Sequence, residues 1–214
     1  YAKKKNKYIK NMLPSNGYDL DLKISYELND FANGFGVYED SGTWGAFLDP
    51  NNTARLDFVF NKYWLLDEQN ISLCSNTLIG YLSNENIDDF FFFHGGGMPG
   101  LKGYTYYDES LIGSRKLIQS FYIHSPLFIN KNIPLLSSIL RHSTMGIVLQ
   151  AGNLFNGSIN NVAMEDFKTS VGLEVRLFGY NFYSYPLAVN YEYHNSNNSS
   201  FSDGKHYFKL LFDF

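Results

Sequence analysis

The chain has 214 residues, 44% hydrophobic, 18% aromatic and 18% charged, with a formal net charge of −4 and one cysteine, Cys74. That balance excludes disorder, offers no basic surface for nucleic acid, and leaves neither an internal disulfide nor a CxxC zinc knuckle. It holds no run of about 18 apolar residues, which excludes a helical membrane span.

In chain order, residues 1–17 begin YAKKKNKYIK and read as a basic, solvated N-terminal segment or loop without the apolar stretch of a secretory signal. Strict period two begins at Tyr18. Tyr18, Leu20, Leu22, Ile24, Tyr26 and Leu28 alternate with Asp19, Asp21, Lys23, Ser25 and Glu27, which gives a strand one apolar and one charged face. The same alternation returns at Ala54–Phe60, Ile71–Tyr81, Val171–Leu177, Leu187–Tyr193 and Phe208–Phe214, and more weakly at 43–49, 114–125 and 144–153. This predicts about nine strands, with residues 33–40 as the candidate for a tenth. A short helix is expected only near IPLLSSILRH, residues 133–142.

Alternation of this kind fits a soluble sandwich, whose apolar faces meet, or an outer-membrane barrel, whose apolar faces meet lipid. Strands of about ten residues with Tyr, Trp and Phe at their ends favour the barrel, since soluble strands run nearer five or six. Loop lengths also alternate: 194–205, 154–167 and 83–113 are long, and 179–184 and 66–70 are short. Three segments break that alternation, the long 126–143 and 29–42 and the short 49–52. The barrel domain is therefore expected over 18–214, with a glycine-rich lid loop at 83–113.

That loop contains FFFFHGGGMPGLKGYTYYDES, with too many glycines and a proline for a membrane strand. No strand-to-helix frame follows, so it is not a phosphate-binding glycine loop. Phe93, Gly95 and Gly96, then Gly100 and the tetrad Leu101-Lys102-Gly103-Tyr104, precede GSRKL (113–117), a strand ending SPLF (125–128), GIVLQAGNLF (146–155), SVGLEVRL and YPLAVNYEY. In this order the segments over roughly residues 90–214 resemble the bacterial surface antigen family, the barrels of outer-membrane assembly factors and their two-partner secretion relatives. The loop and its flanking strands are similar to a subset that follows propeller repeats resembling a Tol-system periplasmic protein.

The resemblance implies the bacterial outer membrane and an antiparallel transmembrane barrel, or the C-terminal part of a sixteen-stranded one. It implies a loop folded into the lumen, and a non-enzymatic role in inserting or translocating proteins. The partners it implies are outer-membrane lipid, client barrel or secreted proteins, and accessory lipoproteins, with no cofactor and no metal. In the family the tetrad carries arginine, where this chain has Lys102, and the acidic wall positions correspond to Gln150 and Tyr122. A lysine loses the bidentate fork of arginine, so weaker anchoring on Gln150 or Tyr122 is expected, and Lys102→Arg with Gln150→Asp is expected to tighten it. Phe208, Leu210, Phe212 and Phe214 form the terminal strand that sorting machinery would read. The alternative class is a passive channel or an anchor barrel for a larger periplasmic or surface protein.

Catalytic readings are weaker. The five histidines have no zinc-binding spacing. His142 and Ser143 are strand neighbours pointing to opposite faces, and His194 and His206 read as loop or interfacial residues. Glu174, Arg176 and Glu192 read as polar-face groups that pair in salt bridges, and a neutral residue at Glu174 is expected to be tolerated.

Overall fold

The protein is described by a computed structural model over residues 16–66, 71–181, 186–197 and 203–211. Its strands in chain order are β1 (Gly17–Val37), β2 (Trp44–Leu66), β3 (Ile71–Leu82), β4 (Phe93–His94), β5 (Ile112–Gly113), β6 (Arg115–Phe128), β7 (Ile133–Leu135), β8 (Ser138–Phe155), β9 (Lys168–Asn181), β10 (Pro186–Ser196) and β11 (Lys205–Leu211). One antiparallel meander runs β1-β2-β3-β6-β8-β9-β10-β11, with β7 paired to β8 and a separate β4–β5 ribbon inside the loop. Among the described residues there is no α-helix, and β1 and β11 each pair on one side only.

Period two sorts the side chains as expected, but burial is inverted relative to a soluble sheet. On the apolar face, Leu22, Ile24, Phe121, Ile147, Leu173 and Leu210 are all exposed. On the polar face, Gln150, Ser170, Glu174, Glu192 and His194 are buried. Leu22 and Leu173 keep 50% and 53% of their surface, whereas Glu174 and Glu192 keep 1% each. Among the described residues no second sheet packs on the apolar face, so this is not a sandwich.

Several sequence expectations need correction. Residues 33–40 are not a tenth strand: β1 runs on to Val37 and pairs with a β2 that starts at Trp44. The supposed connections at 29–42 and 49–52 are therefore mostly strand, joined by a turn at 38–43 in which Tyr38 N–H donates to Thr43 O at 2.9 Å. A bulge between Ala32 and Gly34 resets the register, which hides the continuation from a strict two-residue count. Pro50 is tolerated because β2 meets β3 only from Arg55 onward, so its missing N–H interrupts no ladder on that side.

The helix expected at 133–142 is a tight hairpin, Ile133–Leu135 paired with Ser138–Leu140. A short apolar run does not distinguish the two periods, and the pairing with β9 decides for strand. With these changes the connections 38–43, 83–114 and 156–167 fall at one end of the sheet, and at the other end much of 129–137 is taken up by β7 and its tight turn onto β8. Phe212 and Phe214, like residues 1–15, lie outside the described residues.

Candidate functional site

The segment 83–114 is a folded unit. Asp88 and Asp108 cap two short 3₁₀ turns at Asp89–Phe91 and Glu109–Leu111, accepting from Phe90 N–H and Ser110 N–H. β4, after the first turn, pairs with β5, after the second; between the turns Leu101 N–H donates to Gly95 O at 2.7 Å, and Gly97 N–H is shared between Leu101 O and Tyr104 O. The underside supplies Phe92, Phe93, Leu101, Tyr104 and Leu111, which pack on Leu82, Ile118 and Leu154 of the polar face. Arg55 and Lys116 also lie against the Phe93 ring, at 4.4 and 4.9 Å from its centroid.

The glycines permit backbone approach. A Cβ at Gly96 would stand 1.8 Å from Thr105 O, and one at Gly103 would stand 2.7 Å from Ser170 Oγ and 2.8 Å from Ser196 N. Gly95 and Gly100 are similarly enclosed by Leu154 and by Gly95 O.

Lys102 is a charged residue of the loop that is nonetheless buried, 5% exposed. Its N–H donates to Gln150 Oε1 at 2.9 Å, and Gln150 Nε2 donates back to Gly100 O at 3.1 Å and to Ser120 Oγ at 3.0 Å. Gly103 N–H reaches Ser170 Oγ at 3.0 Å, and Tyr104 OH donates to Thr169 O at 3.2 Å. The Lys102 ammonium lies 5.5 Å from the centre of the Tyr122 ring and forms an ion pair with Glu192. Burial lowers the Lys102 pKa from the ordinary lysine value, and the Glu192 carboxylate opposes that shift.

The structure thus brings Lys102 to both wall residues singled out in the sequence, but divides their roles differently. Gln150 holds loop backbone, Tyr122 offers its ring face, and the charge partner is Glu192. That acid stands on β10, not on β8 or β6 where Gln150 and Tyr122 lie. Sequence reasoning placed Glu192 on the polar face without linking it to Lys102, because 90 residues separate them.

Glu192 belongs to a buried charged belt. Its carboxylate also takes Lys209 Nζ at 2.7 Å, His194 Nε2 at 3.0 Å and Asn190 Nδ2 at 2.8 Å. Directly across the strand pair stands Glu174, bonded to Arg176 Nε at 2.5 Å and His124 Nε2 at 2.8 Å. Each histidine ring lies over a glycine opposite it, His124 over Gly146 and His194 over Gly172. His194 is therefore fully buried within β10, which corrects its reading as a loop or interfacial residue. Glu174 is likewise engaged at both oxygens, so neutral replacement there strands Arg176 and His124.

The belt binds itself. Three cations face two carboxylates, and no group of three metal-ligating side chains occurs among the described residues. His142 and Ser143 form no nucleophile–base pair: His142 Nδ1 accepts instead from Asn130 N–H at 3.4 Å. Phe208 and Leu210 of the terminal strand point to the apolar face, exposed, away from the belt. Comparison with protein-family models, curated proteins and solved structures returns no match for this chain.

Proposed function

We propose that this chain forms a transmembrane β-barrel, or the C-terminal part of one, in the bacterial outer membrane. In this reading the apolar face meets lipid, the polar face lines the lumen, and the glycine-rich loop folds inward. The inverted burial carries the reading. A soluble sheet that left Leu22, Leu173 and Leu210 uncovered while burying Glu174 and Glu192 would oppose both hydrophobic burial and charge solvation. Lipid on one side and a polar interior on the other remove both conflicts. No helix among the described residues is long and apolar enough to cross a membrane, which has no bearing on strands.

Within that reading the role is insertion or translocation of proteins at the outer membrane. Support comes from the resemblance of residues 90–214 to assembly-factor barrels and from the edges of β1 and β11, which are unpaired among the described residues. An open edge offers backbone donors and acceptors to an incoming strand, and specificity then comes from alternate side chains.

The test is a face-resolved arginine scan in lipid vesicles. Leu22→Arg, Leu173→Arg and Leu210→Arg are each expected to cost about 2–4 kcal/mol where the position lies near the bilayer midplane. Lys23→Gln on the opposite face is expected to cost under about 0.5 kcal/mol. Equal costs on both faces, or a protein that stays soluble and folded without detergent, would sink the proposal.

A further inference from the structure

Lys102 is held by the last two strands at both ends of the residue. Its backbone carbonyl accepts from Tyr207 OH at 2.7 Å, and its ammonium meets one oxygen of Glu192 while Lys209 Nζ binds the other at 2.7 Å. Tyr207 and Lys209 both lie on β11. That strand pairs only with β10 among the described residues, over Lys205–Leu211. Around the same tetrad the loop also bonds Gln150, Thr169 and Ser170 on β8 and β9, strands paired on both sides.

We propose that Tyr207 and Lys209 make the glycine-rich loop and the edge strand β11 one conformational unit, so that freeing either loosens the other. The contacts on β8 and β9 anchor the loop to strands that cannot leave the sheet without unfolding it. The contacts on β11 anchor it to a strand whose second edge is unpaired among the described residues, the element a competing strand can displace. A displaced β11 carries the Tyr207 hydroxyl and the Lys209 ammonium away from the loop. Lys102 then loses its carbonyl partner, and Glu192 loses one of its two lysines. Coupling of this kind is reciprocal, since both directions share one free energy. The inference goes beyond the membrane reading and needs only the loop and the sheet, so its measurement in detergent micelles stands apart from behaviour in vesicles or cells.

The experiment uses the full chain folded in detergent, with a Leu101→Cys reporter in a Cys74→Ser background and maleimide labelling as the readout. Leu101 is fully buried beneath the loop, so labelling reports the loop lifting. Tyr207→Phe keeps the ring and removes the donor, and is expected to raise the labelling rate about fivefold, the weight of one neutral hydrogen bond. Lys209→Gln is expected to raise it in the same direction. In the reverse direction, Lys102→Met is expected to speed amide exchange across β11 while leaving β8 unchanged. Native Cys74, buried on β3, reports global opening in otherwise unmodified chains and is expected to stay constant. Unchanged Leu101→Cys labelling in Tyr207→Phe overturns the proposal. So does unchanged β11 exchange in Lys102→Met, or an equal rise at Cys74.

Discussion

At the residue scale, buried charge makes Glu192 the most consequential side chain of the site. Glu192→Gln leaves the Lys102 and Lys209 ammonium groups facing an amide, and is expected to cost about 3–5 kcal/mol by denaturant unfolding. Gln150 follows a different rule, because it both accepts from the loop backbone and donates to it. Gln150→Asp removes the donor that answers Gly100 O, so it is expected to loosen the loop even when combined with Lys102→Arg. This reverses the expectation drawn from the resemblance to barrels with an arginine–aspartate pair. Leu136 illustrates local strain. It has φ of 50° at the first position of the β7–β8 turn and is almost fully exposed. Hairpins give that place to glycine, and Leu136→Gly is expected to stabilise by about 1 kcal/mol in the same measurement.

At the element scale, the β1–β2 hairpin is longer than the sheet it belongs to. Among the described residues, 29–51 pair only with one another, since β2 meets β3 from Arg55 onward. Phe31 lies edge-on to Phe91 at 5.3 Å, and Asn84 Nδ2 donates to Asn51 Oδ1 at 3.0 Å, so the loop braces the base of this extension and not its tip. A two-stranded ribbon contributes little stability alone. Replacing residues 33–47 by Asn-Gly, which joins the paired Ala32 and Leu48 by a two-residue turn, is expected to shift unfolding by less than about 1 kcal/mol. A larger loss would mean that the tip packs on the rest of the protein. Pairing explains why this element was only half legible: Asn29, Asp30, Asn51 and Asn52 are poor strand formers, but each finds a partner across the hairpin.

At the scale of the whole molecule, the proposed membrane reading makes a claim about biogenesis as well as stability. Deleting Phe214 is expected to lower outer-membrane levels in cells while changing refolding of purified protein into detergent far less. Unchanged membrane levels would count against the sorting role of the terminal strand. The two effects separate because a sorting signal acts before the sheet forms, whereas stability depends on the faces and ladders already described. The β1 and β11 edges, unpaired among the described residues, bear on the same proposal, and the Tyr207–Lys102 contact links one of them to the loop.

Side-chain direction in a strand is local, so the alternation at Tyr18–Leu28 or Val171–Leu177 was enough to say which residues share a face. It also marked residues 83–113 as a glycine-rich insertion that could not continue a strand. Which polar residues meet is a matter of register between distant strands, and no local pattern carries it. Glu192 reaches Lys102 only because β10 lies beside β9 and the loop descends on both. The same holds for the extended ends of β1 and β2 and for the hairpin at 133–140. There, weak or ambiguous sequence becomes strand because a partner supplies its hydrogen bonds. Face was written in the sequence; pairing, and with it the buried belt, was decided only when the strands came together.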